Sequence, residues 1–225
     1  MVRVENKKNT ELKSEYSQYF EVRLPPDPRR VVVWQEIVRY LQRFLHNKTA
    51  VLEVGAGYCT FINAVKADKR VAQDQSEVVA EYAEPGVVAH KGLVTNLSFA
   101  GVGEFDAVLS SNLFEHLTRE EFLTSLQEIK RVLKNGGQLI IVQPNFRFAY
   151  KRYFDDYTHV QIFTDTSLAQ LLRANGFAIT RCEPRFTPYS MSATSLPMPG
   201  WVIRLYLRLP WRPLAGQMLV VATKK

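Results

Sequence analysis

The sequence predicts an α/β fold with a Rossmann-like, doubly wound sheet, because short apolar runs alternate with longer helical patterns along most of the chain. The runs are almost continuously apolar, as in parallel strands that helices cover on both faces. Five runs lie in the first two thirds of the chain, at residues 50–54, 70–73, 87–90, 107–110 and 138–142. Two later runs, 177–182 and 217–223, predict an antiparallel C-terminal hairpin. We therefore expect seven strands in a mostly parallel sheet.

The segments between the runs have apolar residues at helical spacing. The predicted helices cover residues 31–45, 60–67, 76–83, 119–133 and 167–175. Gly176 follows the last of them at the position where a helix commonly ends. Helices between parallel strands give right-handed crossovers, which is what a doubly wound sheet requires.

The length of 225 residues fits one α/β domain with elaborations. We assign the domain to residues 31–225 and interpret residues 1–30 as an N-terminal arm or lid, because this part is polar and carries a proline-rich break. Segments 143–165 and 184–216 interrupt the alternation and are predicted to be insertions on the side of the domain where an acceptor substrate would bind. With 46% hydrophobic and 23% charged residues, the composition is that of an ordinary globular protein.

The chain has no sequence signal for a membrane span or for export. Its apolar stretches are too short to cross a bilayer, and the N-terminal residues lack the apolar core of a signal peptide. Cys59 and Cys182 have neither the spacing of metal ligands nor a disulfide framework. These features predict a cytoplasmic protein without a metal site.

The net charge of +7 is concentrated near the C-terminus, because no acidic residue follows Glu183. The basic residues there are Arg185, Arg204, Arg208, Arg212, Lys224 and Lys225. Residues 201–209 have the spacing of an amphipathic helix, which Pro210 would end. This helix predicts peripheral membrane contact through residues 201–212, or else packing on the sheet or on a second subunit in a homodimer.

The stretch Val-Leu-Glu-Val-Gly-Ala-Gly at residues 51–57 places a glycine turn at the end of the first predicted strand. Ligands of doubly wound sheets bind at this edge. A dinucleotide site favours glycine at the position of Thr60, and Glu53 would repel a pyrophosphate. A cationic cofactor such as S-adenosylmethionine suits Glu53 better. Asp74, which ends the second strand, is placed to accept the two ribose hydroxyls.

Five motifs in order resemble the class I S-adenosylmethionine-dependent methyltransferases. They are VLEVGAG (51–57), AQD (72–74), EFDAVLSSNLFEHL (104–117), LKNGGQLII (133–141) and DDYTHVQIFTDTSLAQLLRANGF (155–177). The resemblance covers residues 50–177 and implies the fold of this family, with S-adenosylmethionine as cofactor and S-adenosylhomocysteine as product.

The resemblance also implies which residues hold the cofactor. Glu53, Gly55, Ala56 and Gly57 would surround its methionine part, Asp74 its ribose, Gln75, Leu93 and Val94 its adenine, and Ser111 and Asn112 its sulfonium. Two positions depart from the family pattern. Cys59 replaces a frequent glycine, and Leu93 stands where many relatives have an aspartate that meets the adenine amino group.

The pattern Asp156-Tyr-Thr-His159 supplies the candidate catalytic residues. It follows the fifth strand, so it lies over the edge of the sheet where the methyl group would arrive. A histidine beside a carboxylate is a suitable general base for a hydroxyl acceptor. We predict His159 with Asp156 in this role and His116, in the motif after the fourth strand, as a second candidate.

The acceptor is predicted from residues 143–164, where aromatic residues alternate with arginine and lysine as in sites for sugars or stacked bases. The chain is also similar to methyltransferases among bacterial cell-surface polysaccharide and glycolipid enzymes. We therefore predict O-methylation of a saccharide, polysaccharide or glycolipid precursor. The alternatives are a methyltransferase acting on nucleic acid or on a small lipid or quinone, and a non-catalytic cofactor-binding or assembly subunit. Nucleic acid is disfavoured because no Asn/Asp-Pro-Pro-aromatic motif is present.

Overall fold

A computed structural model describes residues 25–45, 49–189 and 199–225, and a single seven-stranded sheet organises them. The strands are β1 (Ala50–Val54), β2 (Lys69–Asp74), β3 (Val87–Lys91), β4 (Phe105–Ser111), β5 (Leu133–Pro144), β6 (Phe177–Glu183) and β7 (Gln217–Lys224). Each predicted run lies within one of these strands. The sheet order is β3-β2-β1-β4-β5-β7-β6.

The strands β1 to β5 are parallel, whereas β7 is antiparallel to both β5 and β6. This arrangement confirms the predicted doubly wound sheet with an antiparallel C-terminal hairpin. The order reverses direction at β1, which lies between β2 and β4. A crevice forms at such a reversal beyond the carboxyl ends of the strands, so the glycine turn after β1 lies where a ligand of this fold binds.

The helices are α1 (Pro28–Leu41), α2 (Thr60–Ala64), α3 (Val78–Tyr82), α4 (Arg119–Val132), α5 (Phe146–Ala149), α6 (Asp165–Ala174) and α7 (Gly200–Arg208). A 3-10 turn at Gln42–Phe44 extends α1 to the predicted helix end. The start of α1 lies three residues before the predicted start at residue 31, because Asp27 caps the helix and Pro28 fits its first turn. Most of the predicted arm, residues 1–24, lies outside the described residues.

The sheet is the middle layer of three, with a hydrophobic core on each face. One core contains Phe122 of α4 and Leu168 of α6, and the other contains Phe61 of α2 and Ile203 of α7. Side chains of a strand alternate between the two cores, so Glu53 and Asp74 face the layer of α1, α2 and α7. Burial on both faces is the reason that the strands are nearly continuous apolar runs.

The predicted amphipathic helix near the C-terminus is α7, and it ends before Pro210 as expected. Its buried residues Ile203 and Leu207 belong to the core that includes α1, so its apolar stripe packs within the domain. Trp201 and Leu205 are exposed on the other side. Among the described residues, no helix combines the length and the hydropathy that crossing a bilayer requires.

Candidate cofactor and acceptor site

The turn after β1 brings the backbone close to the carboxyl edge of the sheet. Gly55 and Gly57 have φ angles of 67° and 47°, a left-handed conformation that glycine adopts without steric cost. Cys59, which precedes α2, has a φ of 55° and is completely buried. The Ala56 N–H donates to the carbonyl of Gln73 over 3.0 Å, which fixes the turn to the end of β2. The sequence prediction of a tight turn at this point is therefore confirmed.

Two buried carboxylates hold this turn from within. Asp74 accepts hydrogen bonds from the backbone N–H groups of Gly57 (2.9 Å) and Ser76 (2.8 Å). Glu53 accepts one from the N–H of Ile62 at the start of α2 (3.1 Å). Burial raises the pKa of Asp74 and raises that of Glu53 well above its ordinary value. A cationic group bound nearby would therefore stabilise the ionised form of both residues.

The end of β3 offers an apolar surface next to Asp74. The Gly92 N–H donates to the Asp74 carbonyl over 2.9 Å, which holds the start of the segment with Leu93 against the end of β2. Leu93 is 57% exposed, whereas Val94 is buried against the core. Gln75 is also exposed beside Asp74. A carboxylate next to an exposed apolar side chain fits a ribose with an attached aromatic base, and this suits the adenosine part of S-adenosylmethionine.

The segment after β4 lies directly against the glycine turn. Asn112 has a φ of 47°, its N–H donates to the Val142 carbonyl, and its side-chain oxygen accepts from Gln217 over 2.9 Å. Next to it, Leu113 packs so tightly on Gly55 that a Cβ on that glycine would lie 3.0 Å from its side chain. Ser111, the last residue of β4, is partly exposed at the same edge. The structure thus brings the predicted sulfonium contacts, Ser111 and Asn112, next to the predicted methionine contacts.

His116 is linked to Asp156 through the hydroxyl of Thr158. The Thr158 hydroxyl donates to Asp156 over 2.6 Å, and the same oxygen lies 2.9 Å from Nδ1 of His116. Since the hydroxyl proton points to Asp156, Nδ1 of His116 is the donor in the second bond, and Nε2 is the basic nitrogen of the neutral ring. Burial opposes ionisation of Asp156, but the bonds from Thr158 and the nearby His116 and His159 outweigh it and lower the pKa of Asp156.

His159 is held by a hydrogen bond to the backbone. Its Nδ1 lies 2.8 Å from the carbonyl of Tyr153, so Nδ1 carries the proton and Nε2 is the basic nitrogen. Asp156 therefore lies beside the basic nitrogen, 4.0 Å from Nε2, instead of accepting the ring N–H. The ring is 8% exposed and lies behind His116, with 4.8 Å between the ring centroids. The structure brings His116, Asp156 and His159 together, with His116 the most accessible of the three.

Glu115 is the residue that the sequence prediction missed. It is 1% exposed, burial raises its pKa to about 8, and neither carboxylate oxygen has a hydrogen-bond partner among the described residues. Its carboxylate and the rings of His116 and His159 have ligand atoms within 4.8 Å of one another, so these three side chains could hold a divalent cation. The signal in the sequence was the acid directly before His116, which an interpretation focused on histidine passed over.

Comparison with known proteins agrees with this geometry. Residues 52–141, which include the glycine turn, Asp74 and the segment after β4, match a family model described as a methyltransferase domain. An uncharacterized protein of Methanocaldococcus jannaschii is 32% identical over 118 residues. That match covers 51% of this chain and 49% of the archaeal protein, so the chain spans about half the length of the curated relative.

Three solved structures share the fold across almost the whole chain. A SAM-dependent methyltransferase of Thermotoga maritima has a TM-score of 0.65 with 23% identity and covers 94% of this chain and 95% of its own. One of Archaeoglobus fulgidus has a TM-score of 0.64 with 18% identity, over 93% and 99% of the two chains.

The third is the 1,6-didemethyltoxoflavin-N1-methyltransferase of Burkholderia thailandensis, solved with S-adenosylhomocysteine bound. It has a TM-score of 0.63 with 18% identity, over 98% of this chain and 90% of its own. The matched family model, the shared fold and the carboxylates at the glycine turn agree. The described chain therefore has the fold of the class I S-adenosylmethionine-dependent methyltransferases, and its residues 52–141 match a methyltransferase domain.

Proposed function

We propose that the protein methylates a hydroxyl oxygen of a saccharide, polysaccharide or glycolipid precursor, and that His116 accepts the hydroxyl proton. The observation that carries this proposal is the hydrogen-bonded chain from His116 through Thr158 to Asp156. His116 is three residues from Leu113, which packs on the glycine turn. These hydrogen-bonded side chains therefore lie near the edge of the sheet where the cofactor is proposed to bind. A base in that position is needed for an alcohol, whose proton must leave as the oxygen is methylated.

The roles of the residues follow from their hydrogen bonds. The cofactor supplies an electrophilic methyl group, and the acceptor oxygen forms the new C–O bond as the S–C bond breaks. His116 receives the acceptor proton at Nε2 and becomes a cation. Thr158 keeps Nδ1–H oriented, and the ionised Asp156, one hydroxyl away, stabilises the positive ring. His159 supports the His116 ring from behind and remains a proposed alternative base.

We further propose that the cofactor contacts are those predicted from the family resemblance. Glu53 and the backbone of Gly55, Ala56 and Gly57 would lie around the methionine part, with Asp74 at the ribose. Gln75, Leu93 and Val94 would lie at the adenine, and Ser111 and Asn112 at the sulfonium. The raised pKa values of the two acids and the exposed side chain of Leu93 support these assignments.

The proposed acceptor class is supported by side chains beyond β5. Tyr150, Phe154 and Tyr157 are 55–65% exposed and lie in the segment that also contains Asp156 and Thr158. Exposed aromatic faces next to a base suit the apolar face of a sugar ring. Peripheral membrane contact through residues 201–212 remains part of the proposal, because Trp201 and Trp211 are each 65% exposed. Such contact would bring a lipid-linked acceptor to the enzyme.

Paired binding and activity measurements test the proposal. The acceptors are a panel of saccharides, sugar phosphates and glycolipids, and the readout is transfer of radiolabelled methyl groups. We expect His116→Gln to lower turnover about 100-fold, the usual size of a general-base contribution, and Thr158→Val to lower it about 10-fold. Affinity for S-adenosylhomocysteine, measured by calorimetry, should change less than twofold in both variants.

The matched control is His90→Gln, since His90 stacks on Phe99 on the edge strand β3 and is not among the proposed contacts. Unchanged turnover in His116→Gln would remove His116 from the mechanism. If a chelator abolished activity, the role of His116 as a base would be contradicted. A metal ion held by Glu115, His116 and His159 would then be the better explanation. Absence of S-adenosylhomocysteine binding to the wild type would contradict the enzyme assignment and favour an assembly subunit.

A further inference from the structure

A cavity of about 850 Å³ lies at the β6 side of the molecule and is not part of the site described above. Its walls come from α1, the end of β6, α7 and the loop after α7, together with Phe148 of α5. This volume is within the range of small-molecule sites. Phe148 follows β5, and the end of β6 is level with the carboxyl end of β5, so the cavity lies at the same edge of the sheet as the candidate active site.

The lining of this cavity is strongly cationic, with seven arginines and only two acids, Glu36 and Glu183. Glu36 accepts hydrogen bonds of 2.8 Å from both Arg39 and Arg204. Glu183 accepts bonds from Arg212 (2.5 Å), Arg181 (2.8 Å) and Tyr40 (2.5 Å). The carboxylates are thus saturated by their neighbours, and the lining retains a formal excess of five positive charges.

Two of the lining arginines have no acid in salt-bridge range within the described part of the chain. The guanidinium of Arg185 lies 4.1 Å from the centre of the Phe148 ring, which orients it without neutralising it. Arg208 is exposed at the C-terminal end of α7. Like charges brought together in this way repel each other, so the arrangement is stabilised when an anion enters.

Arg212 is a buried cation in the wall of this cavity. It is 8% exposed, and its Nε–H lacks a hydrogen-bond acceptor in the described residues although both terminal nitrogens are bonded. A buried guanidinium donor without an acceptor is unfavourable, because desolvation of the group is not compensated. A multivalent anion in the cavity supplies the missing negative charge.

We propose that this cavity binds the phosphoryl or diphosphoryl group of a ligand. The planar guanidinium forks of several arginines match the tetrahedral oxygens of phosphate, and a diphosphate carries enough charge to offset most of the excess. The cavity has room for more than the anion, so part of a sugar or lipid would fit beside it. That this anion belongs to the methyl acceptor rests on the proposed function, whereas anion binding follows from the cavity alone.

The test uses the full chain without cofactor and inorganic pyrophosphate as the probe. We expect saturable binding with one site per chain by calorimetry, weakened at least tenfold in the double variant Arg185→Ala/Arg208→Ala. These two residues make no salt bridge in the described structure, so their removal leaves the ion pairs of Glu36 and Glu183 in place. The double variant Arg119→Ala/Lys225→Ala has the same loss of charge outside the cavity and should bind within twofold of the wild type.

A second experiment tests whether the phosphoryl group belongs to a lipid or to a soluble ligand. It measures flotation of the protein with vesicles that contain phosphatidic acid. Co-flotation that pyrophosphate competes away assigns the cavity to lipid phosphate, and pyrophosphate binding without co-flotation assigns it to a soluble phosphorylated ligand. The proposal is overturned if the wild type binds neither probe, or if the two double variants lose affinity equally. Because no methyl transfer is measured, a failure of the proposed methylation leaves this result unaffected.

Discussion

Leu113 packs against Gly55 at the point where the segment after β4 meets the glycine turn, and a Cβ on Gly55 would lie 3.0 Å from the Leu113 side chain. Two requirements therefore coincide at Gly55. Its φ of 67° disfavours any residue with a side chain, and Leu113 fills the space that a side chain would need. The glycine turn and the loop that carries His116 can approach each other only because this residue is glycine.

The first prediction is that Gly55→Ala destabilises the protein by roughly 2–4 kcal/mol, from about 1–2 kcal/mol of left-handed strain and a similar cost of overpacking. Urea unfolding measures the change. Gly136→Ala is the matched control, because Gly136 has a φ of 76° but no atom within 4 Å of the place where a Cβ would lie. A loss of stability as large in the control would show that contact with Leu113 contributes nothing.

The second prediction concerns Asp74, whose two oxygens each accept a backbone N–H, from Gly57 and from Ser76. Asp74→Asn keeps the shape but replaces one acceptor by an NH₂ donor, which then faces an N–H group. We expect a loss of roughly 1–3 kcal/mol in stability, the cost of an unsatisfied buried donor, and at least tenfold weaker S-adenosylhomocysteine binding. Calorimetry and urea unfolding measure the two effects, and tight binding by the variant would remove Asp74 from the ribose site.

The third prediction uses the unusual backbone of Cys59. Its φ of 55° favours glycine, but its side chain is completely buried. We expect Cys59→Gly to be more stable than Cys59→Ala by about 1 kcal/mol, because alanine retains the left-handed strain while both variants lose the thiol. This order is the reverse of that in an ordinary helix. Urea unfolding of the two variants measures this difference in stability. A more stable alanine variant would show that the backbone at residue 59 is not strained in the left-handed conformation.

The accessibility of the two cysteines gives a second readout for this region. Burial raises the pKa of the Cys59 thiol to about 12, whereas Cys182 is exposed at the sheet edge. Iodoacetamide at pH 8 should therefore modify Cys182 and leave Cys59 intact, as mass spectrometry of tryptic peptides would show. Rapid modification of Cys59 in the folded protein would mean that the turn opens readily.

The elements of the sheet were predictable because each depends on a local pattern. The run at β1, for example, is apolar except for Glu53 because both faces of the strand are buried, and the Gly-x-Gly that follows it marks the turn. The start of α1 was predicted too late because the proline-rich stretch was interpreted only as a break. In fact, Pro28 follows a capping Asp27 and begins the helix.

The relationships within the site were harder to predict because they join distant parts of the chain. The spacing of Asp156 and His159 predicted a pair, and the two side chains lie 4.0 Å apart. The spacing gave no sign that Asp156 also accepts from Thr158, whose hydroxyl contacts His116, 42 residues away in the sequence. Which ring nitrogen carries a proton depends on such tertiary partners. The sequence showed the arginine cavity only as a basic C-terminal region, because Arg39 of α1 and Arg43 of the 3-10 turn after it come from a distant part of the chain.

The final prediction concerns Glu115, whose pKa burial raises from 4.5 to about 8. Between these two pH values the unfolded chain releases the proton while the folded protein keeps it. The stabilising contribution is therefore complete below pH 4.5, declines as the pH rises and is lost above about 8. The slope has an upper limit of about 1.4 kcal/mol per pH unit for one proton.

Glu115→Gln removes this titration while preserving the size of the side chain. We expect the variant to be more stable than the wild type at pH 8, with a difference that shrinks steadily towards pH 5. The neighbouring Asp156, His116, His159 and Tyr153 are present in both proteins, so the difference between them isolates Glu115. Urea unfolding at several pH values measures it, with the exposed Glu120→Gln on α4 as the control. A constant difference across this range would show that Glu115 is ionised in the folded protein, and hence that a cation, such as protonated His116 or His159 or a bound metal, compensates its charge.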